Sequence, residues 1–282
     1  MSEQGKMTTT EAVAHLRRDP QYADVIRDSY LEADVQAAAE RFRRSGEFAE
    51  VRAMLGGRLA GGKVLDLGAG TGIASYALAH AGASLVYALE PDASAEVGRG
   101  AIVRLCANLP VEVLDAFGER IPLEDETVDI VYARQVLHHT RDLGSTLREC
   151  ARILRRSGVM LICREHVADD EAQLRQFLSE HPIHRLAGGE HAYPLDAYTA
   201  AIEGAGLRVE QKLGPWDSLI NAFPSVRTKE EFESFPQRML GERFGLAGAL
   251  AARVPFVRPF VWRRIRRVAP PGRLYSFLAV KP

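Results

Sequence analysis

Apolar residues recur at two different spacings along the chain, and the spacing changes near residue 56. Between residues 8 and 55 they lie three or four positions apart, in runs such as EAVAHL and DVQAAAERF, which is typical of amphipathic helices. Asp19, which precedes a proline, and Asp34 are start signals for two of these helices, because a short acidic side chain accepts hydrogen bonds from first-turn amides. The pattern predicts an N-terminal helical cap over residues 1–56.

After residue 56, short β-rich runs alternate with helical segments. The predicted strands lie at residues 64–67, 84–89, 111–114, 128–133, 159–163, 207–213 and 274–280. The clearest helices between them are predicted at residues 73–80, from residue 92, and at 143–154 and 195–205. This alternation indicates βαβ units and a sheet covered by helices on both faces. It predicts an α/β domain over residues 57–282, with a mostly parallel sheet of about seven strands.

Two longer stretches interrupt this alternation. Residues 165–194 are rich in histidine and acidic side chains, and residues 219–272 form a connection with six prolines. Ordinary connections in an α/β domain contain only a few residues, so stretches this long are usually functional or disordered. We expect both to be insertions that contribute to a binding site.

Length and composition restrict the class of protein. The chain has 282 residues, of which 46% are hydrophobic and 26% charged, as in ordinary globular proteins. No apolar run reaches the roughly 20 residues that span a bilayer, and the N-terminus lacks the pattern of a secretory signal. We therefore expect a cytoplasmic protein. The three cysteines are scattered, which argues against a disulfide framework, and a net charge of −1 gives no general case for nucleic-acid binding.

The clearest chemical signal is the run VLDLGAGTG at residues 64–72. An apolar strand enters a turn that contains Gly68, Gly70 and Gly72, and a helix follows. Glycine lets backbone N–H groups approach a ligand that a Cβ atom would hold away. A dinucleotide site has the spacing G-x-G-x-x-G, whereas this turn has G-x-G-x-G with an acid, Asp66, two residues before the first glycine.

This turn resembles motif I of class I S-adenosylmethionine-dependent methyltransferases, and the likeness continues along the chain. The block IPLEDETVDIVYARQVLHHTRDLGSTLRECARILRRSGVMLI at residues 121–162 is similar to the corresponding part of the small-molecule subset of that family. Two positions depart from the family pattern. Leu114 stands where a glycine usually precedes the adenine-side acid, and RRSG at residues 155–158 replaces a common Pro-Gly-Gly turn. The resemblance covers residues 63 to about 164 and implies a Rossmann-like fold with S-adenosyl-L-methionine as cofactor.

The cofactor needs partners for its methionine end, its ribose and its adenine. The glycine turn and Asp66 are expected at the methionine end, and Glu90 at the ribose because it ends the next strand 24 residues after Asp66. Asp115 ends the third strand and is expected at the adenine. The expected cofactor-binding residues are Asp66, Gly68, Ala69, Gly70, Gly72, Glu90, Pro91, Asp115, Ala116 and Arg134.

Methyl transfer from a sulfonium needs alignment and exclusion of water more than any particular side chain. A base is required only when the acceptor must lose a proton, as a hydroxyl does. Four of the eight histidines lie within residues 166–191, after the fifth strand, where a histidine can act near neutral pH. The candidates for base or acceptor contact are His166, His191, Glu165 and His139. Two alternatives to these roles remain open. The His138–His139 pair could serve only in structural packing, and the other candidates could lie in a solvated loop.

The spacing of these histidines shows neither H-x-x-x-H nor H-E-x-x-H, so the sequence predicts no metal site. Residues 253–267 carry six arginines, no acid and three interleaved aromatics. This pattern favours a surface helix that caps the acceptor pocket, and it also allows a contact with an anionic or lipid-linked acceptor or with a membrane surface. We expect residues 165–194 and 219–272 to form a lid on the acceptor side, in a monomer or a homodimer.

The sequence thus predicts an S-adenosylmethionine-dependent methyltransferase that acts on a small molecule. O-methylation is favoured because the His/Glu segment could deprotonate a hydroxyl, and N- or C-methylation remains open. One alternative is an NAD-dependent oxidoreductase, which the glycine spacing contradicts, and another is a non-catalytic cofactor-binding or regulatory protein of the same fold. No nucleic-acid partner is expected, because ARQV at residues 133–136 replaces the Asn/Asp-Pro-Pro-aromatic signature of base methylases.

Overall fold

A computed structural model describes residues 6–251, 254 and 256–282 of the chain. Seven strands form one sheet. They are β1 (Lys63–Leu67), β2 (Leu85–Leu89), β3 (Val111–Leu114), β4 (Val128–Arg134), β5 (Leu154–Val167), β6 (Arg208–Leu213) and β7 (Arg273–Val280). Their order across the sheet is β3-β2-β1-β4-β5-β7-β6. The pairs from β3 to β5 are parallel, and β7 is antiparallel to both of its neighbours. The predicted mostly parallel α/β sheet of seven strands is confirmed.

Helices precede, connect and cover these strands. Before the sheet lie α1 (Thr9–Arg18), α2 (Ala23–Asp28), α3 (Val35–Arg43) and α4 (Gly46–Leu55). Between the strands lie α5 (Ile73–His80), α6 (Arg99–Leu105), α7 (Leu143–Ile153), α8 (Glu171–Glu180), α9 (Pro182–Ala187), α10 (Leu195–Gly204), α11 (Leu219–Ala222), α12 (Lys229–Ala251) and α13 (Val257–Ile265). The predicted start signals are confirmed, because Asp34 accepts from the Ala37 amide and Asp19 from the Gln21 amide. No helix in the described ranges is long and apolar enough to cross a membrane.

Two predicted boundaries were wrong. No helix begins at residue 92, because Glu90 accepts from the Asp92 amide and Asp92 accepts from the Ser94 amide, and such local bonds compete with a helix. Strand β5 is also longer than predicted. It continues through an irregularity at Arg164, which has a positive φ of 63°, and its pairing with β7 shifts register there. Irregularities of this kind re-aim side chains next to functional sites.

Both faces of the sheet are buried under apolar layers. In β4, Ile130 and Tyr132 enter one layer, whereas Val131 and Ala133 enter the other, as the two-residue period of a strand requires. The long apolar runs of the central strands follow from this burial on both faces. Polar groups that bind a ligand are therefore expected at the carboxyl ends of these strands and not on either face of the sheet.

The N-terminal helices share the core of the sheet. Phe42 of α3 and Phe48 of α4 belong to the same apolar layer as Tyr132. An ion pair joins α4 to β4. Arg134 ends β4, and its guanidinium donates from Nε to Oε1 of Glu47 in α4 at 2.7 Å and from Nη2 to Oε2 at 3.2 Å. The Glu47 side chain is fully buried, and that of Arg134 is 10% exposed. We propose that the described part of residues 1–56 acts as a cap fixed to the sheet by this ion pair.

We predict that Glu47→Gln lowers the free energy of unfolding by about 3–5 kcal/mol, because it leaves the buried Arg134 guanidinium without a counter-charge. The double variant Glu47→Gln/Arg134→Met should recover most of this loss, since neither charge is then present. Urea unfolding followed by circular dichroism measures each variant.

The control is Glu171→Gln, which breaks an exposed ion pair with Arg175 of the same 2.7 Å length. This substitution should lower the free energy of unfolding by less than about 1 kcal/mol. Equal losses for Glu47→Gln and Glu171→Gln would contradict the proposed anchoring role.

Candidate functional site

The glycine turn after β1 forms one wall of the site. Gly68, Gly70 and Gly72 all have positive φ, which strains any other residue. A Cβ on Gly68 would lie 2.2 Å from Cγ2 of Val136, so this glycine lets the loop after β4 pack against the turn. A Cβ on Gly70 would meet no atom of the described chain within 4 Å. The turn is thus packed on one side and open on the other.

Two buried acids lie at the carboxyl ends of the adjacent strands β1 and β2, Asp66 one residue before the end of β1 and Glu90 immediately after β2. Asp66 accepts a hydrogen bond from Ser75 Oγ at 2.6 Å, and burial raises the pKa of this aspartate to about 7. Glu90 accepts from the amide of Gly70 at 2.8 Å and from that of Asp92 at 2.9 Å. Burial also raises the pKa of Glu90. Each acid keeps lone pairs for a ligand, since a carboxylate can accept about four hydrogen bonds.

A cavity of about 460 Å³ opens beside this turn, a volume within the range of small-molecule sites. Its walls come from the turn, from the loop after β4, from α1 and α2, and from the first insertion. Its lining includes Tyr30, Asp66, Gly68, Ala69, Gly70, Glu90, Pro91, Arg134, His138, His139, His166, His181 and Glu190. Of the predicted cofactor residues, the structure therefore brings Asp66, Gly68, Ala69, Gly70, Glu90, Pro91 and Arg134 together.

Three predicted cofactor residues lie apart from this group. Gly72 is the N-cap residue of α5. An added Cβ there would lie 3.2 Å from Ile102, so the close packing of the turn against Ile102 accounts for a glycine at this position. Asp115 follows the edge strand β3 with a side chain 69% exposed, and it pairs with Arg99 at 2.8 Å. Neither Asp115 nor the adjoining Ala116 contributes to the described lining of the cavity. The adenine contact therefore stays a prediction.

Glu165 is fully buried and its hydrogen-bonding capacity is used within the protein. Its carboxylate accepts from the amides of Val136 and Leu137 at 3.0 and 3.1 Å, and from the amide and Nδ1 of His138 at 3.1 and 2.7 Å. Burial alone would raise the pKa of Glu165, but His138 and the amides hold it below the usual value. The structure therefore makes Glu165 a positioning residue for the loop after β4, and no acceptor can contact it.

Glu190 lies among three imidazoles at the cavity. The Nε2 atoms of His138 and His139 are 3.3 and 3.7 Å from Glu190 Oε2, and His181 Nδ1 is 3.8 Å from Oε1. Gly188 and Gly189, both with positive φ, turn the chain so that this carboxylate points inward. The ring of His166 packs against the ring of His138, with the two ring centroids 5.0 Å apart. We call His138, His139 and Glu190 the His/Glu cluster.

The charges in this region are strongly coupled. Burial favours a neutral His138, but the carboxylates of Glu165 and Glu190 outweigh it and raise its pKa to about 9. Burial would raise the pKa of Glu190, yet the surrounding histidines lower it to about 2. Burial lowers the pKa of His166 to about 3, with a further contribution from His138. His166 is therefore a neutral hydrogen-bonding group, and a weak base.

The remaining sequence candidates lie outside the cavity. The ring of His191 packs against Tyr193, and His191 does not belong to the described lining. Within residues 253–267, Arg253 lies outside the described residues, and no described residue of 219–272 lines the cavity. Phe256 and Phe260 are 84% and 68% exposed.

Sequence reasoning did not select Glu190, His138 or His181 as site residues. A usable signal was the glycine pair immediately before Glu190, which marks a sharp turn that carries an acid. Nothing local indicates that this turn meets the loop after β4, because the contact joins residues about fifty positions apart. Tyr30 also lines the cavity; its buried ring stacks on Phe223 at 5.8 Å.

Comparison with known proteins adds independent information. Residues 65–162 match the family model described as a methyltransferase domain. The chain is 31% identical over 135 residues to the ubiquinone biosynthesis O-methyltransferase of Rhizobium rhizogenes, covering 48% of this chain and 54% of that protein. It is 36% identical over 105 residues to the demethylmenaquinone methyltransferase of Clavibacter sepedonicus, covering 37% and 42%. The chain thus spans about half the length of the curated relatives it matches.

Solved structures resemble the whole fold. An S-adenosylmethionine dependent methyltransferase from Mesorhizobium loti superposes with a TM-score of 0.53 at 16% identity, over 84% of this chain and 98% of that one. At this identity the likeness concerns the fold. It extends beyond residues 65–162 to most of the chain.

We predict that Asp66→Asn stabilises the ligand-free protein more at pH 8 than at pH 5. The pKa of Asp66 rises from 3.8 to about 7 on folding, so the folded state binds more protons between these values and loses stability as the pH rises through them. Asparagine removes this buried charge, and the gain at pH 8 should reach a few kcal/mol, about 1.4 for each pKa unit. Thermal unfolding at both pH values measures it. A stabilisation of equal size at pH 5 and pH 8 would contradict the ionisation argument.

Proposed function

We propose that this chain is a class I S-adenosylmethionine-dependent methyltransferase, which transfers a methyl group from S-adenosyl-L-methionine to a small-molecule acceptor. The match of residues 65–162 to a methyltransferase domain supports this proposal. One observation carries the proposal. The glycine turn, Asp66 and Glu90 lie at the carboxyl ends of adjacent parallel strands and line one cavity. That edge of an α/β sheet is where such folds bind ligands.

The residues of the turn fit the cofactor. The open space at Gly70 leaves room for the methionine end beside Asp66, whose carboxylate would accept from the ammonium group. Glu90, fixed by the amides of Gly70 and Asp92, would accept from the two ribose hydroxyls. The cofactor supplies a methyl group on a positively charged sulfur, which makes the methyl carbon electrophilic.

The protein's own contribution is alignment and exclusion of water. The N-terminal cap and the first insertion meet above the cavity, where the amide of Met7 donates to the carbonyl of Leu186 at 3.1 Å and α1 packs against α9. We propose that this contact forms the lid over the acceptor. A lid that excludes water strengthens the polar contacts inside and holds the acceptor at attacking distance. The second insertion supports the cap instead, through the stacking of Phe223 on Tyr30.

We propose that the methyl group is transferred to an oxygen atom of the acceptor. The name of the Rhizobium relative refers to an O-methyltransferase of ubiquinone biosynthesis, and that of the Clavibacter relative to a demethylmenaquinone methyltransferase. These names support a hydroxylated aromatic acceptor of the quinone-precursor class. The side chains that face the acceptor space also suit a hydroxyl, because His139 and His166 are imidazoles at the cavity wall. Nδ1 of His166 donates to the Gly272 carbonyl, so its Nε2 lone pair can accept a hydrogen bond from the hydroxyl and orient its oxygen.

Binding of S-adenosylhomocysteine tests the cofactor assignment. We predict one site per chain for S-adenosylhomocysteine by calorimetry and no binding of NADH. Glu90→Ala should weaken binding by about 30- to 150-fold, because charged hydrogen bonds that together contribute about 2–3 kcal/mol are lost.

The matched control is Glu112→Ala, which removes an exposed glutamate from the neighbouring strand β3 and should leave the affinity unchanged. Binding of NADH without S-adenosylhomocysteine would favour the oxidoreductase alternative. Incubation with methyl-labelled cofactor and hydroxylated aromatic acceptors then separates a transferase from a non-catalytic binding protein. Label on the acceptor oxygen is the expected product.

We further propose that α13 contacts an anionic membrane surface. Phe256, Phe260, Arg263, Arg264 and Arg267 follow one another at helical spacing and are all exposed. The opposite face, with Val261 and Ile265, is buried in the protein. Exposed aromatics flanked by arginines are the composition of helices that lie in the headgroup region of a bilayer. Such a contact would bring a lipid-linked acceptor close to the protein.

Co-sedimentation with vesicles tests this contact. We predict binding to phosphatidylglycerol/phosphatidylcholine vesicles that falls as salt is added, and at least a tenfold loss for Phe256→Ser/Phe260→Ser, on the order of 1.4 kcal/mol. Phe117→Ser is the control, because Phe117 is also exposed but lies after β3. Equal binding to pure phosphatidylcholine, or equal losses for the control, would contradict the proposal.

A further inference from the structure

The His/Glu cluster brings two imidazole nitrogens and a carboxylate to one point of the cavity wall. The candidate ligand atoms of His138, His139 and Glu190 all lie within 4.8 Å of one another. Ligand atoms bound to one zinc ion at about 2.0–2.2 Å lie roughly 3.0–3.6 Å apart. The two Nε2–Oε2 distances, 3.3 and 3.7 Å, are already close to that separation.

Both imidazoles are oriented by a partner on the other ring nitrogen. Nδ1 of His138 donates to Glu165 Oε2 at 2.7 Å, and Nδ1 of His139 donates to the carbonyl of Gly189 at 3.1 Å. A carbonyl only accepts, so the proton of neutral His139 is on Nδ1 and its lone pair is on Nε2. His138 lies between two carboxylates, so its Nε2 proton is released when a cation binds. Metal-binding histidines are held in this way, by a carboxylate or a backbone carbonyl on the distal nitrogen.

We propose that His138 Nε2, His139 Nε2 and the carboxylate of Glu190 form a binding site for a divalent transition-metal cation, with Zn²⁺ as the representative. Two imidazoles and one carboxylate suit zinc or iron, whereas magnesium and calcium prefer oxygen ligands throughout. All three residues line the cavity that contains Gly70 and Glu90. Three protein ligands with a position open to the cavity are the arrangement of catalytic metal sites.

The role of this site rests on the proposed function. An acceptor hydroxyl bound at the open position would lose its proton to water, because a bound cation lowers the pKa of a coordinated oxygen acid. The resulting oxygen anion forms a bond to the methyl carbon while the bond from that carbon to sulfur breaks. The sulfur leaves as a neutral thioether. This chemistry suits a site in which Glu165, whose carboxylate is bonded to the loop after β4, cannot reach the acceptor.

Zinc binding by the full chain tests the inference independently of turnover. After treatment with a chelator and dialysis, the protein is titrated with Zn²⁺ in a calorimeter, and Co²⁺ absorption is recorded as a second readout. We expect one site per chain and at least a tenfold loss of affinity in His139→Ala and in Glu190→Gln. His139 is 43% exposed, so its replacement should leave the fold intact, which circular dichroism checks.

His191→Ala is the matched control, since His191 is next to Glu190 in sequence but packs against Tyr193. Its Zn²⁺ affinity should equal that of the wild type. Absence of Zn²⁺ binding, or equal losses in His191→Ala and His139→Ala, would overturn the inference. Binding of S-adenosylhomocysteine is measured in the same samples. A protein that binds S-adenosylhomocysteine and no Zn²⁺ refutes the metal site alone, whereas failure to bind S-adenosylhomocysteine refutes the proposed function.

Discussion

One buried carboxylate, that of Glu165, determines the shape of the site. It lies near the end of the irregular strand β5 and accepts four hydrogen bonds from the loop after β4, three from backbone amides and one from the His138 ring. A buried carboxylate without such donors would be strongly unfavourable, so the loop and the acid stabilise each other. The loop is therefore fixed in position. That position sets both the packing of the glycine turn and the direction of the His138 ring.

The two halves of the site follow from this loop. On one side Val136 packs against Gly68, where no Cβ would fit, and so holds the turn that we assign to the methyl donor. On the other side His138 faces Glu190 across the space that we assign to the acceptor. The ion pair of Arg134 with Glu47 attaches the N-terminal cap at the same strand end. Donor side, acceptor side and cap thus meet at one short segment of chain.

The sequence predicted the fold, and it predicted that the glycine turn, Asp66 and Glu90 lie together, because these signals are local. Gly68, Asp66 and Glu90 lie on strand ends that hydrophobic patterning identifies, and parallel strands bring such ends together. The other half depends on contacts between distant segments. No spacing rule predicts that Glu190 contacts His138, or that the Glu165 carboxylate accepts its hydrogen bonds from backbone amides. The expectation of no metal site rested on short-range motifs, whereas the site that we propose takes its ligands from separate loops.

A crystal structure of the chain with bound S-adenosylhomocysteine is the most direct test of this account. We predict that both ribose hydroxyls lie within about 3 Å of the Glu90 carboxylate, the usual length of such hydrogen bonds. The sulfur should face the open space beside His139 and Glu190. A ligand bound elsewhere, or a sulfur directed away from the His/Glu cluster, would contradict the claim that one cavity holds both donor and acceptor.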